Sequence, residues 1–355
     1  MPTYSVTTQE LLTRLAKTKG GSDLILTVGK PPQFKVHGEV ASVPDCDVLT
    51  PQTARELCLS VLNEEQVRRF RAEKELDLSL QVADVARFRV NVFVQRGCEA
   101  MVCRTVMDKV PGFQQLGLPA VIEELAKLRK GLVLFTGPTG HGKSTSVAAM
   151  VDYINHHRAC HIISIEDPIE YLHTHAMAVI EQREVGLDTD NFNAALRRIL
   201  RQAPDVIVIG EIRDRESAQA AMTLAETGHL ILATLHTSGA IASVSRLIDL
   251  FPAEQEKQMR SQLSVSLAAV IWQQLIPTAD KQGLALACEV MVAIPAIRSL
   301  IRQGRIHEVV SLIQTGRKHG MFTMDQAIED LVDQGKVDKE WFDSNYLDMA
   351  NRKTG

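Results

Sequence analysis

Leu132-Val-Leu-Phe-Thr-Gly-Pro-Thr-Gly-His-Gly-Lys-Ser-Thr-Ser146 is the stretch that decides the fold of this chain. Its four leading apolar residues predict a buried strand, and the segment from Gly137 to Ser144 matches G-x-x-x-x-G-K-[ST] at every fixed position. Glycines let the backbone curl so that successive N–H groups point at a phosphate, and a following helix adds the positive end of its dipole. The stretch therefore predicts a phosphate-binding loop between a strand and a helix.

Each position of this loop has an expected role in holding a nucleotide. Lys143 can reach the β- and γ-phosphates, and the Ser144 hydroxyl can hold Mg²⁺. The alternative, a chance glycine-rich turn, is disfavoured because the strand before it and the helix after it are both present. We expect ATP and Mg²⁺ as cofactors, with nucleotide contacts from Gly137, Pro138, Thr139, Gly140, His141, Gly142, Lys143, Ser144 and Thr145.

Size and composition indicate a globular protein of two domains. The 355 residues exceed what one hydrophobic core usually organises. A formal net charge of −4 disfavours direct nucleic-acid binding, and the six cysteines form no C-x-x-C pair, so no zinc is expected. The first ten residues lack the features of a secretory signal, and no apolar run reaches the ~18 residues of a membrane span. We therefore expect a cytoplasmic protein.

The pattern of apolar residues changes along the chain. Mixed strand and helix signals over 1–106 predict a small α+β domain, and the turn-rich segment 107–118 predicts a linker. The larger domain, 119–355, is expected to turn mostly helical from about 253, with a helix near 254–275 and a hairpin-like segment at 284–292. Before residue 253 the pattern of the larger domain alternates between strands and helices: strand 132–136, helix 143–155, strand 161–166, helix 191–201, strand 205–210, helix 215–227, strand 230–235 and helix 240–250. Such alternation predicts an α/β fold with a mainly parallel sheet covered on both faces.

Three strands of this sheet end in polar residues, where a nucleotide is expected to bind. Glu166 follows one strand and Glu211 another, and His236 follows a third whose start is preceded by His229. Hydrolysis requires a carboxylate to orient water, and Glu211 is our candidate because it follows four apolar strand residues. Gly210 stands where a metal-holding Asp is usual, so Mg²⁺ is expected on Ser144, phosphate and water, with Glu166 in its outer shell.

The two histidines have two interpretations. His229 and His236 either sense the γ-phosphate or bridge subunits, or they are ordinary hydrogen-bonding histidines. The residue pattern alone leaves both interpretations open.

The order of the motifs resembles the secretion ATPase superfamily. The P-loop, Ile165-Glu-Asp-Pro-Ile-Glu170, the segment 201–214 and Ala225-Glu-Thr-Gly-His-Leu-Ile-Leu-Ala-Thr-Leu-His236 are similar to its Walker A, Asp, Walker B and His boxes. Within the superfamily, Ser22 to Pro32, Arg87-Phe-Arg-Val-Asn91 and Ala296-Ile-Arg-Ser-Leu-Ile-Arg302 resemble the twitching-motility retraction ATPases of type IV pili. The tetracysteine zinc motif usual in extension and general secretion ATPases is not found in the sequence.

The resemblance implies a RecA-like ATPase domain, a PAS-like N-terminal domain and a homo-hexameric ring. It also implies nucleotide contacts from arginines of the N-terminal domain or of a neighbouring subunit, for which Arg87, Arg89 and Arg104 match. A solvated strand face explains the alternation of Arg87 and Arg89 equally well. Arg298 and Arg302 are four residues apart, so they are expected to share one face of a helix. That helix is either a plain exposed helix or, as the resemblance implies, an element that couples to the pilus machine.

The function that the resemblance implies is a hexameric ATPase motor for pilus retraction. The partners it implies are an inner-membrane platform protein and a paralogous retraction ATPase, with the ring peripheral at the inner membrane. Two alternatives stay open. The first is an accessory nucleotide-binding ring subunit that supports another retraction motor, which Gln182 to Asp190 and Gln274 to Asp280 favour. The second is the ATPase of another secretion system.

Overall fold

The computed structural model describes residues 5–83, 85–106 and 109–342. It divides into two compact units. The first comprises Met1–Lys109 together with Pro168–Leu172, and the second comprises Val110–Asp167 together with His173–Gly355. Val110 already belongs to the second unit and Phe113–Leu116 is a helix, so most of the expected linker forms part of that unit.

The first unit is a helix-flanked antiparallel sheet. Its described strands lie in the order β3-β2-β1-β6-β5-β4. They are β1 Gly21–Leu26, β2 Gln33–Val36, β3 Glu39–Ser42, β4 Glu75–Val82, β5 Ala86–Gln95 and β6 Cys98–Val106. The helices are α1 Thr8–Lys17, α2 Pro51–Leu59 and α3 Glu64–Glu73. Alternation in β5 puts Phe88, Val90 and Val92 in the core, as period-two patterning predicts.

The second unit contains a sheet whose described strands lie in the order β13-β12-β7-β11-β10-β8-β9. The strands are β7 Gly131–Thr136, β8 His161–Glu166, β9 Val179–Glu184, β10 Val206–Ile209, β11 Leu230–Leu235, β12 Leu267–Pro277 and β13 Leu284–Val292. All neighbours pair in parallel except β12 and β13, which are antiparallel. The carboxyl ends of β7, β8, β10 and β11 therefore meet at one edge.

Helices surround this sheet. They are α4 Phe113–Leu116, α5 Val121–Ala126, α6 Lys143–His157, α7 Phe192–Ile199, α8 Arg215–Glu226, α9 Ala240–Asp249, α10 Glu256–Ser266, α11 Pro295–Gln303, α12 Val309–Gln314, α13 Met324–Asp333 and α14 Lys339–Phe342. On β7, Leu132 and Leu134 pack into one core while Val133 and Phe135 pack into another. Burial on both faces explains why this strand is continuously apolar.

The predicted α/β fold, with a smaller α+β unit and a helix-rich C-terminal part, is confirmed, with one error in that last part. The helix expected near 254–275 is wrong beyond Ser266, because Leu267–Pro277 is strand β12 beside β7. The run Leu267-Ala-Ala-Val-Ile271 is buried throughout, and a short apolar run suits a buried helix or a buried strand equally. The sequence pattern does not predict strand β9, because its Val-Ile-Glu-Gln-Arg-Glu sequence is mostly polar.

No helix in the described ranges combines the length and the apolar character needed to cross a bilayer.

Candidate active site

The loop between β7 and α6 has the backbone that phosphate binding requires. Gly140 and Gly142 take φ values of 80° and 79°, a left-handed conformation that glycine adopts without steric cost. Gly142 is the N-cap of α6, so the helix begins directly at Lys143. The first N–H groups of a helix have no partner within the helix, and helix N-termini commonly bind anions through such groups.

Gly137 is the tightest point of the loop. Its φ is 140°, and a Cβ built there would lie 2.4 Å from the backbone oxygen of Gln273 in β12. The Gln273 side chain, fully buried, donates from Nε2 to Ser146 Oγ at 2.7 Å. Gln273 thus ties β12 to the first turn of α6. No sequence motif identifies it, since it lies 127 residues from Ser146.

His141 makes a second connection between the loop and β12. The Leu275 N–H donates to His141 Nδ1 at 2.9 Å, so this nitrogen is the unprotonated acceptor. Burial, and then the nearby Lys143 charge, lower the pKa of His141. The ring is therefore neutral at pH 7, with its proton on Nε2.

Lys143 points back along the loop. It is 7% exposed, and its Nζ donates to the carbonyl oxygens of Gly137 and Pro138, both at 2.8 Å. Nζ also lies 3.4 Å from Nδ1 of His236 at the end of β11. An ammonium group can only donate, so His236 Nδ1 is an acceptor in this contact.

His236 connects the loop to Glu211. Its Nδ1 lies 3.4 Å from Thr139 Oγ1, and its Nε2 lies 3.4 Å from Glu211 Oε1. With Nδ1 facing the Lys143 ammonium, Nε2 carries the proton that faces the carboxylate. Lys143, His236 and Glu211, all predicted site residues, therefore lie next to one another.

The backbone on both sides of Glu211 is fixed by β11. Thr234 Oγ1 donates to Gly210 O, and the Ile212 N–H donates to Thr234 O at 3.0 Å. Ile212 is 3% exposed and packs in the core. Its neighbours Glu211 and Arg213 are joined by an ion pair of 2.8 Å between Arg213 Nε and Glu211 Oε2, which raises the pKa of Arg213.

Gly210 and Glu166 are the two strand-end residues that bear on the predicted metal site. A Cβ at Gly210 would lie 3.1 Å from Ile165 O and 3.4 Å from Glu166 Cα, so close strand packing disfavours an Asp there. Glu166 Oε1 accepts from Ser164 Oγ at 2.6 Å and from Gln182 Nε2 at 3.1 Å.

The described residues contain no group of three or more His, Cys, Asp or Glu side chains suited to a metal. Mg²⁺ needs no such cage, because it is commonly held by one or two protein oxygens with substrate phosphates and water. Ser144 and an outer carboxylate such as Glu166 fit that pattern.

His229 lies at the opposite end of β11 from His236. Its Nδ1 lies 3.0 Å from Leu224 O, and its carbonyl oxygen accepts from Gly131 N–H at 3.0 Å. The two histidines are seven residue steps apart along the strand, which at ~3.3 Å per step separates their Cα atoms by roughly 23 Å. The structure of one chain does not bring His229 to the other predicted site residues.

The predicted arginines of the first unit lie on β5 and β6. Arg104 Nε donates to Oδ1 of the buried Asp23 at 2.8 Å, and Arg89 lies opposite Arg104 in the sheet register. Arg87 is partly buried on β5, whereas Arg89 and Arg104 are exposed. Arg104 therefore has a structural partner within its own unit.

Arg298 and Arg302 on α11 have different surroundings. The Arg298 guanidinium donates to the backbone oxygens of Ala293, Ser264 and Val265 at 2.7, 2.8 and 2.6 Å, and burial lowers its pKa. Arg302 is exposed. Arg298 therefore fastens α11 to the end of α10.

Comparison with known proteins identifies the family. The model for the type II/IV secretion system protein family matches residues 33–307. The chain belongs to this family. Among its relatives is the type IV pilus ATPase PilU of Pseudomonas aeruginosa, 46% identical over 93% of this chain and 86% of the relative. Another is the type IV pilus retraction ATPase PilT of the same organism, 44% identical over 93% and 95%.

A solved structure of this family has the same fold. It is the crystal structure of the pilus retraction motor PilT with bound ADP, 42% identical, covering 95% of this chain and 96% of that chain with a TM-score of 0.89. The predicted resemblance to the retraction ATPases is confirmed.

Proposed function

We propose that this chain is an ATPase motor that couples ATP hydrolysis to retraction of type IV pili. The observation that carries the proposal is the contact series from the loop lysine to a carboxylate, Lys143 to His236 to Glu211. Its relatives PilU and PilT are named as pilus ATPases, and the PilT structure holds ADP. This arrangement of a loop lysine, a histidine and a carboxylate is suited to binding a nucleotide and hydrolysing it.

The residues of the loop bind and neutralise the triphosphate. Backbone N–H groups from Gly140 to Ser144 and the Lys143 ammonium would stabilise the charge that develops on the β- and γ-phosphates. For this the ammonium must leave the Gly137 and Pro138 carbonyl oxygens to which it donates in this structure. Mg²⁺, when bound through Ser144 with Glu166 in its outer shell, supplies further charge neutralisation. Glu211, held between Arg213 and His236, orients the attacking water.

The working form is a homo-hexameric ring in which a neighbouring subunit completes each site. Cationic side chains supplied across a subunit boundary are a common way to make hydrolysis depend on assembly. Arg87, Arg89 and Arg104 are the candidates for this contribution, and His229 is a second candidate because its own chain keeps it far from the loop. The ring acts at the inner membrane through a platform protein and a paralogous retraction ATPase.

Steady-state ATPase assays test the site assignment. Lys143→Ala and Glu211→Gln should each lower kcat at least ~100-fold, since each removes a group acting directly on the reacting phosphate or water. Glu216→Gln is the matched control, because Glu216 is exposed in the first turn of α8. Turnover within a few-fold of the native chain in both site variants would refute these roles.

Pilus retraction in cells separates the motor from an accessory ring. The accessory ring is the second candidate because the segments Gln182 to Asp190 and Gln274 to Asp280 favour it. In a strain lacking this protein, a motor requires Glu211, so Glu211→Gln should not restore twitching. An accessory ring that only binds nucleotide should restore it with the same variant.

A further inference from the structure

We propose that Arg213 is a positioning residue that holds the Glu211 carboxylate in its working orientation. The inference rests on the proposed function, in which Glu211 orients water. Arg213 Nε donates to Glu211 Oε2 at 2.8 Å, and its Nη1 lies 3.7 Å from Asp167 Oδ2. One guanidinium thereby spans the residues that follow two adjacent strands, β10 and β8.

Local backbone geometry brings Arg213 and Glu211 together. In an extended segment, side chains two residues apart point to the same side. Ile212 between them points into the core, and its N–H is held by Thr234 O. Glu211 and Arg213 are therefore presented together on the outer side, immediately before Asp214 caps α8 by accepting from Ser217 N–H.

Among the residues that the structure describes, Arg213 makes the shortest contact to the Glu211 carboxylate. Its other oxygen faces His236 Nε2 at 3.4 Å, beyond the usual range of a strong charge-assisted hydrogen bond. A glutamate side chain has three rotatable bonds, so a single long contact leaves several orientations accessible. The 2.8 Å contact to Arg213 is the shorter of the two and selects one of them.

Arginine suits this position better than lysine. Its planar fork offers several N–H donors in fixed directions, so it can address Glu211 and Asp167 together, whereas lysine supplies one compact charge. The Arg213 side chain is 64% exposed, so the ion pair adds little to folding stability. Its loss should appear in catalysis rather than in unfolding.

The test measures kcat and KM for ATP in Arg213→Gln and Arg213→Lys. Misplacing a catalytic group by ~1 Å can cost ~100-fold in rate, so Arg213→Gln should lower kcat between ~10- and ~100-fold with KM unchanged. Arg213→Lys should recover part of the loss. Arg215→Gln is the control, because exposed Arg215 donates to Gln255 and faces the Phe251 ring instead.

A double-mutant cycle with Glu211→Gln completes the test. If Arg213 acts through Glu211, adding Arg213→Gln to Glu211→Gln should change kcat less than twofold. An equal loss in both backgrounds, a raised KM at constant kcat, or native kcat in Arg213→Gln would each overturn the inference. Native kcat in Arg213→Gln, together with lost turnover in Glu211→Gln, would overturn only this inference. Full turnover in Glu211→Gln would also remove the role that the proposed function gives to Glu211.

Discussion

Replacing Gly137 by alanine should destabilise the second unit strongly, because two penalties coincide at this position. The φ of 140° lies where side chains are rarely tolerated, which costs about 1–3 kcal/mol. The new Cβ would also lie 2.4 Å from Gln273 O, closer than the 3.0 Å that real Cβ atoms respect. Gln273 lies in β12, which pairs with β7 and β13 and cannot easily move away. Overpacking of this kind adds about 1–3 kcal/mol.

Gly140→Ala is the matched control for this prediction. Gly140 has a φ of 80°, and apart from Gly140 and its two chain neighbours no heavy atom of the described residues lies within 4 Å of the point that a Cβ would occupy. It therefore bears only the backbone penalty of about 1–2 kcal/mol. In a domain of this size each kcal/mol lowers Tm by about 2–4 °C. The middles of the two penalties, about 4 and about 1.5 kcal/mol, differ by about 2.5 kcal/mol, so by thermal unfolding without nucleotide Gly137→Ala should melt about 5–10 °C below Gly140→Ala. Equal midpoints would refute the argument that contact with β12 constrains the loop.

Three further predictions concern single side chains. His141→Asn keeps an acceptor for the Leu275 N–H but does not titrate. Because the pKa of His141 is lowered in the folded chain, the unfolded chain takes up a proton first, so the stabilisation present above pH ~6.5 is lost as pH falls. The Tm of the native chain should therefore drop more between pH 7.5 and 5.5 than that of the variant, and parallel pH profiles would contradict this. Arg298→Ala should lower the free energy of unfolding by about 2–4 kcal/mol in thermal unfolding, because three backbone oxygens lose a charged donor. Arg302→Ala should stay within about 0.5 kcal/mol of the native chain. Equal effects of the two changes would contradict the role of Arg298 in fastening α11 to α10. Burial raises the pKa of Cys288 to about 12, so mass-spectrometric mapping at pH 8 should find it unlabelled by a thiol reagent until the chain unfolds, and native labelling would contradict its burial.

Local sequence predicts the elements of the second unit where its pattern is unambiguous. The apolar run 132–135, the glycines of the loop and the helix from Lys143 all follow from residues adjacent in the chain. The strand before Glu211 follows in the same way. Strand β12 resembles a helix in sequence because its burial on both faces erases the period that separates the two structures.

The sequence by itself determined the phosphate-binding loop, the parallel sheet and the family, because each depends on short-range patterns of glycine, charge and apolar period. Only the tertiary structure decided which polar residues meet. It brought His236 between Lys143 and Glu211, left His229 at the far end of the same strand, and placed Gln273 against the loop. These contacts depend on strand order and register, which join residues far apart in the chain and leave no local trace in its sequence.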